Sequence, residues 1–504
     1  MTATTAERLS TLDAFFLEAE HHNAYMHIGA TLVFEEGRFR DPPGGVDIEK
    51  IRAYVASRLH LIPRYRQRLA RTPLEGRPIW VDDADFDVAN HVLRSSPPRP
   101  GNQRQLKQAV SELLSQPLDR NRPLWQLSVL DGLENGRFAV VSKLHHSMAD
   151  GLGGVEQLAA LLSPSPETDD EPPRSWVPRP RPGTIELLAD EAASTTRSWV
   201  EGLRTIGQAL REPRQSWQQT RESAFSLADA LRTTLAPAAK APFNCPIGPA
   251  RRVEWLRFEM EEVLRVKHAL GGTLNDVVLA TVAGALRRYF RMRRFTADSA
   301  EIRAAVPVNM RDADSASGNQ VSIWFVPLPV DESDATWRLS DVRIATSRLK
   351  ASHHAQGLYS FIRIADRLNP ALVRAGIRVV ERLLPFNLIV TNVPGPRFPL
   401  YMSGARLVAA YPTVPLFGQQ GLGIALFSYD GILNWGFLAD PEMVPDLEEL
   451  AYAVTASFRE LLDRARAGDA WIARGDFRDG DSAGPATVGA GANGSRSTGF
   501  AQSH

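Results

Sequence analysis

Two adjacent histidines, His145 and His146, are the residues of this chain whose type and spacing best suit proton transfer. An aspartate and a glycine, Asp150 and Gly151, follow them at fixed spacing and complete the pattern H-H-x-x-x-D-G. A histidine side chain has an unperturbed pKa of about 6.5, so it can accept a proton and return it near neutral pH. The pattern therefore indicates a general base.

The elements around the histidines predict how they are presented. Residues 137–142 are typical of a buried strand and residues 155–162 of a short helix, so the histidines stand where a strand ends and the chain turns. Successive side chains of an extended backbone point to opposite faces, and both rings cannot enter one cavity. We expect His146 to carry the chemistry and His145 to support it. Asp150 would orient the imidazole or pin the turn through an arginine, and Gly151 would allow a positive φ or a close approach.

Other chemistries find little support. Adjacent histidines diverge, and neither a third histidine nearby nor an H-E-x-x-H sequence is present, which argues against zinc. The chain contains no P-loop and no G-x-S-x-G sequence. A formal G-x-G-x-x-G at residues 489–494 has no strand before it and no helix after it, so we reject a dinucleotide site there.

The composition narrows the class further. The 504 residues are 43% hydrophobic, and 58 basic residues balance 58 acidic ones, which gives no reason to expect nucleic acid. A single cysteine, Cys245, excludes an intrachain disulfide framework and fits a reducing compartment. The first ten residues lack the pattern of a secretory signal, and no apolar run approaches the roughly 20 residues that span a bilayer. Any membrane contact is expected to be peripheral.

Composition shifts divide the chain into four parts. Residues 1–163 alternate helices and strands and carry the histidine motif. Residues 164–245 begin as a proline-rich surface linker and continue as connecting helices, and residues 246–478 form a second α/β region. Residues 479–504 are rich in Gly, Ala and Ser and are expected to be disordered.

Several local patterns predict elements of the second region. Thr273 is an expected N-cap of a helix through residue 289, and the Asp-Gly pair in residues 423–437 predicts a β-hairpin. Arg374, Arg378 and Arg382 are spaced for one face of an amphipathic helix over residues 370–384. This helix would either contact a membrane or present an ordinary solvated face, and we favour the latter.

Taken together, the ordered motifs resemble the bacterial wax ester synthase/diacylglycerol acyltransferase family, which belongs to the chloramphenicol acetyltransferase-like superfamily of coenzyme A-dependent acyltransferases. The resemblance covers most of residues 8–475. Besides the histidine motif, it rests on residues 9–13 (LSTLD), 123–125 (PLW), 275–280 (NDVVLA) and 391–396 (TNVPGP).

The resemblance implies two α/β (α+β) domains, each a mixed sheet flanked by helices, joined by a helical linker, with an active-site tunnel between them. It implies transfer of a fatty acyl group from acyl-CoA, a cosubstrate, to diacylglycerol or a long-chain alcohol, with no resident cofactor and no acyl-enzyme. His146 would be the general base, with His145 and Asp150 as supports, and Asn275 a candidate donor to the oxyanion. The expected location is cytoplasmic, at the inner face of the membrane or on lipid droplets.

Three further assignments and two rival functions stay open. Arg311 is a candidate partner of Asp150 or a CoA contact, and Pro123, Leu124 and Trp125 line either a channel or the ordinary core. Residues 392–396 are expected to form a rigid turn in which Gly395 takes a positive φ. The rival functions are a carrier-protein-dependent or condensation-type acyltransferase and a catalytically silent lipid-binding protein of the same fold.

Overall fold

The structure is a computed structural model, and it describes residues 7–41, 45–148, 157, 159–167, 172–193, 196, 237–295, 301–309, 321–351 and 385–473. Several of the predictions fall outside these residues. They concern Asp150, Gly151, Arg311, the helix over residues 370–384 and the tail from residue 479. The helix predicted over residues 155–162 is described only at residue 157 and residues 159–162, of which 157, 159 and 160 are helical.

The first six-stranded sheet carries the histidines. Its order is β12-β13-β2-β7-β6-β5, and only the pair β5–β6 is parallel. Its strands are β2 (His27–Glu35), β5 (Val92–Ser95), β6 (Trp125–Leu133), β7 (Arg137–His145), β12 (Tyr401–Met402) and β13 (Ala405–Thr413).

The second six-stranded sheet has the order β10-β9-β11-β14-β15-β8, in which β11 runs parallel to both of its neighbours. Its strands are β8 (Arg252–Glu259), β9 (Ile302–Asn309), β10 (Val321–Leu328), β11 (Leu388–Pro394), β14 (Leu422–Tyr429) and β15 (Ile432–Ala439). A small third sheet, β1-β4-β3, joins β1 (Glu7–Arg8), β3 (Gln67–Arg71) and β4 (Pro78–Asp82).

Helices flank both large sheets, as predicted for a mixed α/β fold. The first part of the chain contributes α1 (Thr11–Ala19), α2 (Ile48–Arg58) and α3 (Gln103–Leu114). The second contributes α4 (Met260–Leu270), α5 (Leu274–Met292), α6 (Ala335–Ala351) and α7 (Leu447–Ala473), of which α5 is almost wholly buried from Asp276 to Leu286. In the described part of the chain, no single helix is long and apolar enough to cross a bilayer, although α4 and α5, bent by 96°, pass that test as a pair.

Strand β13 joins the two halves of the molecule. It belongs to the sequence region 246–478, yet it pairs with β2 of the first sheet, with Thr413 opposite Gly29. Trp255 of β8 stacks on Tyr411 of β13, with ring centroids 4.6 Å apart and planes 7° apart. The two sheets also meet at Gly436, where a Cβ atom would lie 1.9 Å from the Pro412 carbonyl oxygen. The first sheet is therefore completed by residues far along the chain.

Two local predictions for the second region are confirmed. Thr273 caps α5 in a capping box with Asp276. The predicted hairpin is β14–β15, and Asp430 and Gly431 have φ values of 46° and 80°, as the tight hairpin turn requires.

The prediction for residues 392–396 is wrong in one respect. The chain continues as strand β11 through Pro394, and Gly395 does not have a positive φ. Glycine is needed there for space, because a Cβ atom would lie 2.3 Å from the Ser428 carbonyl oxygen.

The described proline-rich residues 172–183 have no regular secondary structure and lie along the surface, as predicted, where specific contacts hold them. Arg179 forms hydrogen bonds to both carboxylate oxygens of Asp82, at 2.8 and 3.1 Å. Trp176 packs its ring edge against Phe86 and lies beneath the guanidinium of Arg66, 5.1 Å away. Residues 172–183 therefore form a strap that is held against the first part of the molecule.

Candidate active site

The histidine pair sits at the end of β7, and the chain turns immediately after it. His145 is the last residue of the strand, and His146 begins a 3-10 turn through Met148. The backbone N–H of His146 donates to the Met26 carbonyl at 2.7 Å, which ties the turn to the start of β2. His145 is buried and His146 is half-buried, so the two rings have different surroundings.

His145 is held from both sides of its ring. The Ser147 backbone N–H donates to Nδ1 at 3.1 Å, and the Ser147 hydroxyl lies 2.7 Å from the same atom. Because a backbone N–H can only donate, Nδ1 accepts and the ring proton resides on Nε2. That atom faces a Glu20 carboxylate oxygen at 3.5 Å. His145 is thus held at Nδ1 by Ser147 and faces Glu20 through Nε2, and its role as a support for His146 remains a prediction.

Glu20 is the centre of a buried charge cluster that the sequence did not reveal. Its second carboxylate oxygen lies 3.5 Å from Nε2 of His27, and Arg120 donates to the carboxylate through Nε at 2.9 Å. Burial raises the pKa of Glu20, but the hydrogen bonds from His145 and Arg120, together with the charge of Arg120, outweigh it and lower the pKa to about 2. Glu20 is therefore ionised at neutral pH and supplies the negative charge of the cluster.

His27 is the cross-strand partner of His145, since β2 and β7 place the two residues opposite each other. Burial, and then the charge of Lys143, hold the pKa of His27 well below its usual value. These side chains include types that bind metals, yet among the described residues no group of three is arranged to hold a metal ion. The charge of Glu20 is therefore placed to stabilise the start of β2, at His27, and the end of β7, at His145.

His146 is the half-buried member of the pair. Its ring stacks on Phe16 of α1, with centroids 3.7 Å apart and planes 20° apart, and its Nδ1 is buried. The site thus combines an ionisable imidazole at a strand end with an aromatic ring on one of its faces.

The two residues of the Asn-Asp motif have different surroundings. The Asn275 side-chain oxygen accepts a hydrogen bond from the Asn392 NH2 group at 2.8 Å. The Asn275 NH2 group takes no part in that bond and can act as a donor elsewhere. Asp276 accepts from Thr273 and from the Thr346 hydroxyl, at 2.7 Å in each case, and so closes the start of α5 and ties it to α6. A donor role for Asn275 remains a prediction, whereas Asp276 has a structural position.

The Pro-Leu-Trp residues are buried at the start of β6. The Trp125 ring lies between the rings of Tyr65 and His91, each with its centroid 4.5 Å away, and its N–H donates to the Tyr65 carbonyl at 2.8 Å. Pro123 and Leu124 are buried beside it, in and around the same core. These contacts account for the motif as core packing, and a role in lining a channel remains a prediction.

Sequence reasoning missed Phe16, Glu20, His27 and Arg120. One signal was available, because Ser10 predicts a helix start and places Phe16 and Glu20 four residues apart on one face. The contribution of His27 depends on strand pairing across more than 100 residues, for which the local sequence holds no signal.

Comparisons with known proteins agree with this architecture. The family model for the wax ester synthase/diacylglycerol acyltransferase catalytic domain matches residues 9–278, and the model for the C-terminal domain of the same family matches residues 317–462. A protein of Mycobacterium tuberculosis named as a probable diacylglycerol O-acyltransferase is 33% identical over 462 residues, which cover 90% of this chain and 95% of that protein.

Solved structures share the fold. The first condensation domain of the calcium-dependent antibiotic synthetase matches with a TM-score of 0.54 and 17% identity, over 92% of this chain and 96% of that one, which shows the common acyltransferase-like fold alone. The wax ester synthase/diacylglycerol acyltransferase of Marinobacter aquaeolei matches with a TM-score of 0.64 and 25% identity, over 91% of this chain and 99% of that one. The chain therefore belongs to the wax ester synthase/diacylglycerol acyltransferase family, and it is an acyltransferase.

Proposed function

We propose that the protein transfers a fatty acyl group from acyl-CoA to the hydroxyl of diacylglycerol, forming triacylglycerol and free CoA, and that it also accepts long-chain alcohols. The observation that carries the proposal is the position of His146, half-buried at the strand end, beside a histidine whose ring is already engaged by Ser147 and Glu20. Relatives named as diacylglycerol O-acyltransferases support the choice of acceptor.

The reaction needs one base and one donor to a developing negative charge. His146 takes the proton of the acceptor hydroxyl as that oxygen attacks the thioester carbonyl carbon. Because Nδ1 is buried, we assign this proton transfer to Nε2. The tetrahedral intermediate carries a negative oxygen, which the Asn275 NH2 group stabilises.

The intermediate collapses with loss of the CoA sulfur. The carbonyl re-forms as the C–S bond breaks, and the imidazolium of His146 returns its proton to the thiolate. The products are an ester and CoA with a free thiol, so the step balances without an acyl-enzyme and without a resident cofactor. The acyl donor and the acceptor are both substrates.

We propose further that the protein meets its acceptor peripherally, at the inner face of the membrane or at a lipid droplet, because diacylglycerol and long-chain alcohols partition into such surfaces. Flotation of the protein with diacylglycerol-containing vesicles tests this point. Recovery of all the protein in the lipid-free fraction, with active enzyme, would contradict it.

Radiolabelled palmitoyl-CoA supplied with diacylglycerol, with hexadecanol or with neither tests the chemistry. We expect labelled triacylglycerol, some wax ester, and a fall in activity of roughly 10²- to 10⁴-fold in His146→Ala. His268→Ala, which changes an exposed histidine at the end of α4, is the matched control and should behave as wild type.

Two results would overturn the proposal. The acceptor assignment is wrong if the wild-type protein makes neither lipid ester, and acyl transfer to an amine or to a carrier-bound acceptor would then support the condensation-type alternative. The base assignment is wrong if His146→Ala keeps full activity while its unfolding temperature matches that of the wild type.

A further inference from the structure

Phe16 is the residue that lies directly against the face of the proposed base. The centroid distance of 3.7 Å and the interplanar angle of 20° describe two rings in close stacked contact. Such a contact covers one face of the imidazole and leaves its edge for proton transfer. Phe16 lies outside the histidine motif in sequence and reaches it only through the fold.

Helix α1 holds Phe16 in place from both ends. The Ser10 side chain accepts from the Asp13 backbone N–H at 3.1 Å, which caps the start of the helix. At the other end the Glu20 backbone N–H donates to the Phe16 carbonyl at 3.2 Å, and the Glu20 carboxylate is bound by Arg120. Phe15 adds an edge-on contact, with its ring centroid 5.7 Å from that of Phe16.

The stacked ring favours the charged form of the imidazole more than the neutral form. An aromatic face carries the negative part of the ring quadrupole and attracts a cation placed over it. His146 becomes a cation only when it has taken the proton of the acceptor. An interaction that strengthens at that moment lowers the barrier of the chemical step, whereas substrate binding is unaffected.

We propose that Phe16 is a positioning residue for His146: it holds the imidazole in the orientation for proton transfer and stabilises the imidazolium that forms during the reaction. This inference rests on the proposed role of His146 as the base. It assigns to α1 a direct part in the chemistry, because the same helix ends in the carboxylate that supports His145.

Four variants of the full-length chain test the inference. Phe16→Leu keeps an apolar side chain and removes the ring, and Phe16→Tyr keeps the ring. Trp337→Leu removes an exposed aromatic ring from α6, away from Phe16, and His146→Gln removes the base. The measurements are kcat, KM for palmitoyl-CoA, the pH dependence of kcat/KM, and the thermal unfolding temperature.

In Phe16→Leu we expect kcat to fall by roughly 2- to 30-fold with little change in KM. The loss of the aromatic face lowers the pKa of the base, so the acidic limb of the pH profile moves to lower pH, by roughly half a unit or more. Phe16→Tyr should restore both kcat and the acidic limb to near the wild-type values, and Trp337→Leu should leave both unchanged.

The outcomes separate this inference from the proposed function. If His146→Gln is inactive while Phe16→Leu has the wild-type kcat and pH profile, the inference about Phe16 is wrong and the base assignment stands. The inference about Phe16 is also wrong if Phe16→Leu lowers kcat, Phe16→Tyr does not restore it, and the acidic limb of the pH profile does not move. A residue with a purely structural role would give these three results. Full activity in His146→Gln refutes the base assignment itself. If Phe16→Leu does not fold, Phe16→Met replaces it in the same comparison.

Discussion

At the residue scale, the site places two adjacent histidines in different electrostatic surroundings. His145 faces the ionised carboxylate of Glu20 and accepts from the backbone of Ser147, so its ring is fixed in one tautomer. His146 faces an aromatic ring and is half-buried. Strand β7 ends at His145 and a 3-10 turn begins at His146, and this change of backbone places two identical side chains in different surroundings.

The pH dependence of the free energy of unfolding tests the place of His27 in the buried cluster. Its folded-state pKa is held well below 6.5 by burial and next by the charge of Lys143, against the opposing pull of Glu20, with His145 and Arg251 also acting to lower it. The unfolded chain therefore binds a proton below about pH 6.5 that the folded chain does not, and the free energy of unfolding falls as the pH falls.

We expect this residue to contribute up to about 1.4 kcal/mol per pH unit to that fall, starting near pH 6.5. Denaturant unfolding of the wild type and of His27→Gln between about pH 7.5 and 5.5 measures the difference in slope. His27→Gln should show the shallower slope. Equal slopes in the two proteins would mean that His27 takes up its proton in the folded state.

At the scale of elements, the Pro-Leu-Trp segment anchors β6. Trp125 lies between two rings and satisfies its N–H within the core, so its burial belongs to the packing of β6 against the neighbouring loops. Trp125 therefore stabilises β6, the strand next to β7, and through it the end of β7 where the histidine turn begins.

Trp125→Ala is expected to cost about 3–5 kcal/mol of unfolding free energy, the usual range for removing a buried aromatic side chain. Trp125→Phe should cost less, because the stacked ring is kept. Denaturant titration gives the stability, and KM for palmitoyl-CoA is measured on the folded fraction. A raised KM with unchanged stability would instead favour the channel-wall role.

The start of α5 combines two neighbouring residues with separable tasks. Asp276 closes the capping box with Thr273, while the Asn275 amide is oriented by its bond to Asn392 of β11. The Asn-Asp motif therefore joins the start of α5 to strand β11, which carries Asn392 of the segment 391–396.

We expect Asn275→Ala to lower kcat by roughly 10²- to 10³-fold with little change in stability, as for loss of an oxyanion donor. Asp276→Ala should instead lower the unfolding free energy by about 1 kcal/mol or more, because a cap is lost, with a smaller effect on kcat. Single-turnover rates and denaturant titrations on both variants distinguish the two. The reverse pattern would exchange the roles assigned to these neighbours.

At the scale of the whole molecule, the two large sheets are joined by a strand exchange. Strand β13 belongs to the second half of the chain, but it pairs with β2, which lies next to β7 in the first sheet. The loop after β13 leads to β14 in the second sheet. The backbone contact at Gly436 and the stacking of Trp255 on Tyr411 hold the sheets together at this crossing. The histidine turn therefore depends on both halves.

Gly436→Ala tests this crossing, since the added Cβ would lie 1.9 Å from the Pro412 carbonyl oxygen and must push the sheets apart. We expect a loss of about 1–3 kcal/mol in stability together with a lower kcat. Gly468→Ala is the control, because a Cβ at that exposed helical position meets no atom within 4 Å. Equal unfolding temperatures for the two variants would show that the crossing tolerates displacement.

Much of the local structure could be predicted from the sequence. Strand β7, the hairpin β14–β15 and the cap of α5 follow from an apolar run, an Asp-Gly turn and a threonine N-cap, all of which act within a few residues. The histidine motif also lies within seven residues, so the sequence alone singles out His145 and His146, while the roles assigned to them remain predictions.

The surroundings of those histidines were decided by the tertiary structure alone. Phe16 and Glu20 reach the site because α1 packs against the histidine turn, and His27 reaches it because β2 pairs with β7. The space needed at Gly395 likewise comes from a neighbouring strand, which is why a positive φ was wrongly expected. Hydrogen bonds within a turn are encoded by adjacent residues, whereas ring stacking and charge burial depend on which distant segments share one interior. Adjacent residues therefore fix the chemical groups and their local geometry, and the packing of distant segments fixes the environment that tunes those groups.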